Sequence, residues 1–178
     1  MNTKLIPIEQ AIEMRNEYLT HVKTSIESAR GNGYQATEFA WIDLATLKEY
    51  VEKLENIQKN NDEKVSGVRI YFSAYPDAAT FASNRSVSVA LPARETIFMV
   101  PTVQVASTPL SQQYENLEHL PFCINPTDSR DAYKGDFVVI NDLLCSSDNN
   151  SGSAARGSDY ENMTSLVLNR MGITPPPE

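Results

Sequence analysis

Cysteine and histidine are scarce, with two of each in 178 residues. Two cysteines, Cys123 and Cys145, are too few for a disulfide framework. Glycine is also sparse, at seven, and neither a Gly-x-Gly-x-x-Gly turn nor a Walker loop occurs, so the usual nucleotide cradles are absent. No Gly-x-Ser-x-Gly elbow marks a serine hydrolase. No run of about 18 apolar residues provides a transmembrane helix. Positive charge is outnumbered: 15 Lys and Arg against 23 Asp and Glu give a net charge of −8. An acidic chain is a poor partner for nucleic acid, where basic side chains must displace counterions, and for anionic membrane surfaces. The first residues lack the apolar stretch of a secretory signal. The expectation is a cytoplasmic protein with free thiols, no nucleic acid and no membrane.

The remaining composition is that of a globular domain, with 41% hydrophobic and 21% charged residues. A chain of this size buries about 70% of its unfolded surface and needs no staple. Residues 1–178 read as one domain. Ile8, Ile12, Arg15, Leu19, Val22, Ile26 and Ala29 recur at helical spacing, which predicts a helix over 7–30 ended by Gly31-Asn32-Gly33. A second helix is expected over 43–58, with Asp43 as N-cap and Leu44, Leu47, Val51 and Leu54 as its buried stripe. Between them 37–42 is apolar and short, and Trp41 reads as core.

The sheet region is placed at 67–141. Its clearest strand is 68–75, where Val68, Ile70 and Phe72 point one way, toward the core, and Arg69, Tyr71 and Tyr75 the other. Further strands are expected at 86–91, 96–100 and 136–141. Residues 106–135 read as a long connection with a helical turn near 112–120, and 142–157 as a flexible loop. Ser158 and Glu161 form a capping box for a last helix over 158–172, followed by a Pro-rich tail over 173–178. Helices and strands are segregated rather than alternating, which predicts an α+β fold: a mainly antiparallel sheet with two N-terminal helices and one C-terminal helix.

Trp41-Ile42, Leu47, Tyr50, Gly67-Val68-Arg69-Ile70-Tyr71-Phe72 and Ile97-Phe98-Met99-Val100-Pro101-Thr102 together resemble a loose group of uncharacterised bacterial proteins. These share a Gly-x-Arg-x-Tyr strand and a later apolar strand ending in Pro-Thr. The resemblance covers residues 40–103 and the helix before them, and it implies no catalytic residues.

The chemistry-bearing residues form no strong signature. His119 and Cys123 are four apart, but His21 and Cys145 stand alone, so the paired spacing of a zinc site is missing. Cys145, after a strand, has no family signature of a nucleophile around it. Asp128, Asp131, Asp136 and Asp142 are interleaved with Arg130 and Lys134, which suits turns better than acid–base work. Asp148, Asn150, Gly152 and Asp159 fit part of an EF-type loop, but Ser153 stands where the sharp turn needs Gly. No metal and no cofactor are expected. What remains is a surface: Arg69, Tyr71 and Tyr75 are residue types enriched at binding hot spots. The sequence therefore reads as a non-enzymatic module for a protein partner, of immunity type or self-associating. The alternative is an enzyme of hydrolytic type, with a site built from the 106–160 loops.

Overall fold

A computed structural model describes residues 5–31, 33–75, 94–106, 117–144, 160–169 and 172–174. The expected strand at 86–91, the partial calcium loop and Cys145 lie outside the described residues, as do most of 142–157 and residues 175–178. The chain has helices and a four-stranded antiparallel sheet, the α+β class expected. It divides into two compact units: Met1–Trp41, Phe72–Ile97 and Met171–Glu178 form unit 1, and Ile42–Tyr71 with Phe98–Arg170 form unit 2.

Unit 1 is built on the helix expected over 7–30. It runs as α1 (Ile8–Glu17), a π-helical turn (Tyr18–Lys23) and α2 (Thr24–Arg30). The hydroxyls of Thr24 and Ser25 donate to Leu19 O and His21 O, at 3.1 and 2.6 Å. Such side-chain donors compete for backbone carbonyls and loosen the regular ladder. Gly31 ends the helix at φ +60°, a conformation in which a side chain would be strained. Strand β1 (Phe39–Trp41) pairs antiparallel with β6 (Gly172–Thr174). Trp41, expected in the core, is 61% exposed. The only buried residues of unit 1, among those described, are Ala36 and Thr96.

Unit 2 holds α3 (Leu44–Asn60), and in it or shared with unit 1 are β2 (Val65–Ala74), β3 (Glu95–Gln104), β4 (His119–Asp128) and β5 (Asp131–Val139), in the sheet order β2-β3-β4-β5. Asp43 caps α3, accepting from Thr46 N at 2.8 Å. The buried stripe of α3 is Tyr50, Leu54 and Ile57, whereas Leu44 and Val51 are exposed. Leu54 is buried as expected and Leu47 half-buried, but the stripe is shifted round the helix so that Tyr50 and Ile57 face inward in place of Leu44 and Val51. After α3, Asn61 donates to Ile57 O and Tyr133 O and accepts from Gly135 N, tying the helix to β5. The core comprises Met99, Val100, Val103, Phe122, Cys123, Ile124 and Leu166 together with the α3 stripe.

Three expectations are corrected here. First, the phase of β2 is reversed: Val68, Ile70 and Phe72 are exposed, Phe72 at 93%. Second, the connection expected over 106–135 contains the β4–β5 hairpin, and the strand expected at 136–141 begins at Asp131 and ends at Val139. The prolines of β4 hide its pattern from a sequence reading. Third, residues 160–169 of the expected C-terminal helix contain no α-helix.

The physical reason for the third lies in two buried prolines. β3 and β4 pair only over Thr102↔Pro121, Val103↔Leu120 and Gln104↔His119. Continuing that register would pair Met99 with Ile124, but Pro101 and Pro121 lack the N–H groups a ladder uses. Instead Met99 exchanges both backbone bonds with Leu168, each 2.9 Å, and Ile124 does so with Thr164, at 2.8 and 3.2 Å. Extended backbone at 164–168 thus satisfies strand groups that would otherwise be buried without partners. Leu166 is buried between these two bridges and its carbonyl accepts from Tyr50 Oη at 3.0 Å.

Candidate functional site

Unit 1 contains an apolar groove with a cavity of about 620 Å³. Tyr18, Val22 and Ile26 form its helical wall; Thr37, Glu38, Phe39 and Ala40 form a second; Phe72, Ser73 and Glu95 to Ile97 form a third. Tyr18 and Val22 come from the π-helical turn, a feature often found at functional sites. Phe39, Phe72 and Val22 remain 54%, 93% and 47% exposed, so the groove is lined but not filled.

Its polar edge carries two carboxylates, Glu38 and Glu95, each with a cationic neighbour. The Glu38 carboxylate accepts from Arg15 at 2.6 Å and from Lys23 at 2.8 Å. Those hydrogen bonds, led by that from Lys23, hold its carboxyl below the ordinary value. Glu95 accepts from Thr37 N and Thr37 Oγ1, both 3.2 Å, and Arg30 lies 3.7 Å away. Burial raises the Glu95 pKa, but hydrogen bonds from Tyr34 and Thr37 outweigh it and leave it lowered. The Tyr34 ring carries the guanidinium groups of Arg30 and Arg94 over its face at 4.7 and 5.5 Å. Tyr18 Oη donates to Thr37 O at 2.6 Å and so seats the helix on the segment leading to β1.

The residues expected to bind are placed otherwise. Arg69 and Tyr71 belong to unit 2 and are half-buried; Tyr75 belongs to unit 1 and is also half-buried. Tyr71 stacks on Phe98 at 5.0 Å and donates to Leu143 O at 2.7 Å. Arg69 donates to Leu117 O at 3.3 Å. Tyr and Arg bury their apolar bodies when a carbonyl can satisfy the polar tip. The strand phase is therefore the reverse of that expected, and Arg69, Tyr71 and Tyr75 are partly buried rather than fully exposed.

The other sequence candidates remain separate. Cys123 is buried, its thiol pKa is raised by that burial, and its Sγ lies 3.2 Å from Met163 Sδ. Asp128 and Asp131 accept from the backbone N–H groups of Arg130 and Tyr133, a turn role. His21 is exposed beside Glu17 at 3.6 Å, and His119 Nε2 lies 3.7 Å from Glu118. Among the described residues no three His, Cys, Asp or Glu side chains are grouped to hold a metal ion. No helix of the described residues is long and apolar enough to cross a membrane.

The groove itself was missed by the sequence reading. Its signal was there, in Val22 and Ile26, but an apolar stripe that meets a core and one that lines an open groove look alike in sequence. No protein-family model, no curated protein and no solved structure matches the chain.

Proposed function

We propose that the chain is a non-enzymatic, cytoplasmic protein-binding module whose contact surface is the apolar face of unit 1. One observation carries the reading: Ile8, Ile12, Phe39 and Phe72 are 72%, 55%, 54% and 93% exposed within one unit. Large apolar surfaces left in water mark interaction sites. A polypeptide suits this surface better than a small molecule, because the exposed residues extend along the helix beyond the groove. The acidity that disfavours nucleic acid and anionic membranes favours encounter with a basic protein, as an immunity-type protein would need.

The test is co-purification of the tagged chain from its native cells, comparing the wild type with Ile8→Asp/Ile12→Asp. Both positions are exposed, so the variant keeps its fold, which circular dichroism checks. The expected result is a stoichiometric partner whose cross-links map to residues 8–26 and that the variant loses. An identical partner list for the two proteins, or no partner with either, defeats the reading.

A further inference from the structure

We infer that the occupant of the unit 1 groove is a basic amphipathic helix of another protein, an inference that rests on reading this face as a binding surface.

The length of the apolar strip argues for a helix. Arg15 and Tyr18 bring one face of the helix onto the segment at Thr37 and Glu38. That face continues N-terminally as Ala11 and Ile8, one and two turns back, with Ile12 beside them. Ile8 to Glu17 alone is a rise of about 14 Å at 1.5 Å per residue, and the π-helical turn carries the strip on to Val22. The cavity reaches only the Tyr18, Val22 and Ile26 end of this strip. A small molecule filling it leaves Ile8 and Ile12 in water. A helix of about four turns covers both, presenting apolar residues at i, i+3, i+4 and i+7.

The charge along the strip argues for a basic partner. Among the described residues, the cations at the groove's polar edge are paired: Arg15 and Lys23 with Glu38, Arg30 with Glu95. Glu9 and Glu13 each follow an isoleucine of the strip, about 100° round the helix, and so line one flank of it. Both are exposed, and among the described residues neither has a cation within ion-pair distance. Like charges at i and i+4 disfavour the helix that carries them. Lys or Arg on a docked helix relieves that repulsion and gains a partner for each carboxylate.

The experiment is titration of the full chain with three labelled synthetic peptides of about 18 residues, followed by fluorescence anisotropy. One has a Leu face and a Lys face, one the same Leu face with Glu in place of Lys, and one is the scrambled Leu/Lys sequence. The expected result is saturable binding of the first, at least tenfold weaker binding of the second, and loss of the first on scrambling. Ile12→Asp abolishes binding, and Glu9→Gln/Glu13→Gln weakens it about fivefold and flattens its salt dependence. If the Leu/Glu peptide binds equally well, or the glutamine variant is unchanged, the basic-helix inference falls while the binding-surface reading stands. If the scrambled peptide binds as tightly, the attraction is bulk charge and the inference falls. If no peptide binds and sedimentation shows a dimer that Ile12→Asp dissociates, the occupant is a second copy and the inference falls with its partner class. If no peptide binds, the chain is monomeric and Ile8→Asp/Ile12→Asp loses no cellular partner, both readings fall.

Discussion

The two units of this chain use similar apolar periodicity to opposite ends. In unit 2, Tyr50, Leu54 and Ile57 of α3 are buried, and Phe122 of β4 is fully buried and stacked on Phe137 at 4.0 Å. In unit 1 the described helix from Ile8 to Arg30 buries no residue fully, and the unit is tied together by Glu38 with Arg15 and Lys23, and by Glu95 with Thr37 and Arg30. Apolar burial does not depend on protonation and is not weakened by charge screening. Ionic hydrogen bonds near the surface depend on both. Unit 2 is held by its own apolar core, whereas unit 1 leaves much of its apolar surface in water.

The largest difference is expected between two phenylalanines, one in each unit. Phe122→Ala should cost about 3–5 kcal/mol, the range for deleting a buried ring. Phe72→Ala should cost less than about 0.5 kcal/mol, as an exposed surface change does. Chemical denaturation read by amide exchange in β3 to β5 checks both, and equal losses would break the contrast between the units.

The next largest effect concerns the extended segment after residue 160. Leu166→Ala should destabilise unit 2 by about 2–4 kcal/mol, since Leu166 is 4% exposed. Its neighbour Val167, 41% exposed, should tolerate Ala at a cost under about 0.5 kcal/mol. A helical segment would distribute the two costs differently, so the ratio tests the bridges to Met99 and Ile124 directly.

The smallest effect separates the units by chemistry. The carboxyl of Glu38 is held below its ordinary value of 4.5. A depressed pKa means that its stabilisation is complete above that ordinary value and is lost as pH falls through the lower, folded one. Acidification through this window, or high salt at neutral pH, should therefore speed amide exchange in residues 8–30 after correction for the intrinsic rate. Exchange in β3 to β5 should change far less. Glu38→Gln should reproduce the effect of acid at neutral pH. If unit 2 loosened first, the polar account of unit 1 would be wrong.

How far the sequence could be read depended on whether a feature was local. The stop at Gly31 and the cap at Asp43 were legible because each rests on a single residue's conformational freedom or its nearest amides. The β4–β5 hairpin was not, because Pro121 and Pro126 sit inside β4 where propensity argues against a strand. Pro121 is accepted because a partner for the strand beyond it arrives from residues 164–168. The exposed apolar face was hidden for a related reason: nothing near Ile8 or Ile12 in sequence says that they will stay exposed.

The α+β class, the two N-terminal helical regions with the stop at Gly31 and the cap at Asp43, and the net negative charge were legible in the sequence alone. These follow from periodicity, from residues that permit or forbid a backbone conformation, and from charge. Tertiary structure alone decided which side of β2 faces inward, which face of α3 is buried, and that residues 160–169 hold no α-helix. A repeat of two or of 3.6 residues fixes the period of a pattern but not its phase. The phase is set by the groups waiting on the other side: Phe98 beneath Tyr71, the Leu166 carbonyl at Tyr50, and the strand edges of Met99 and Ile124.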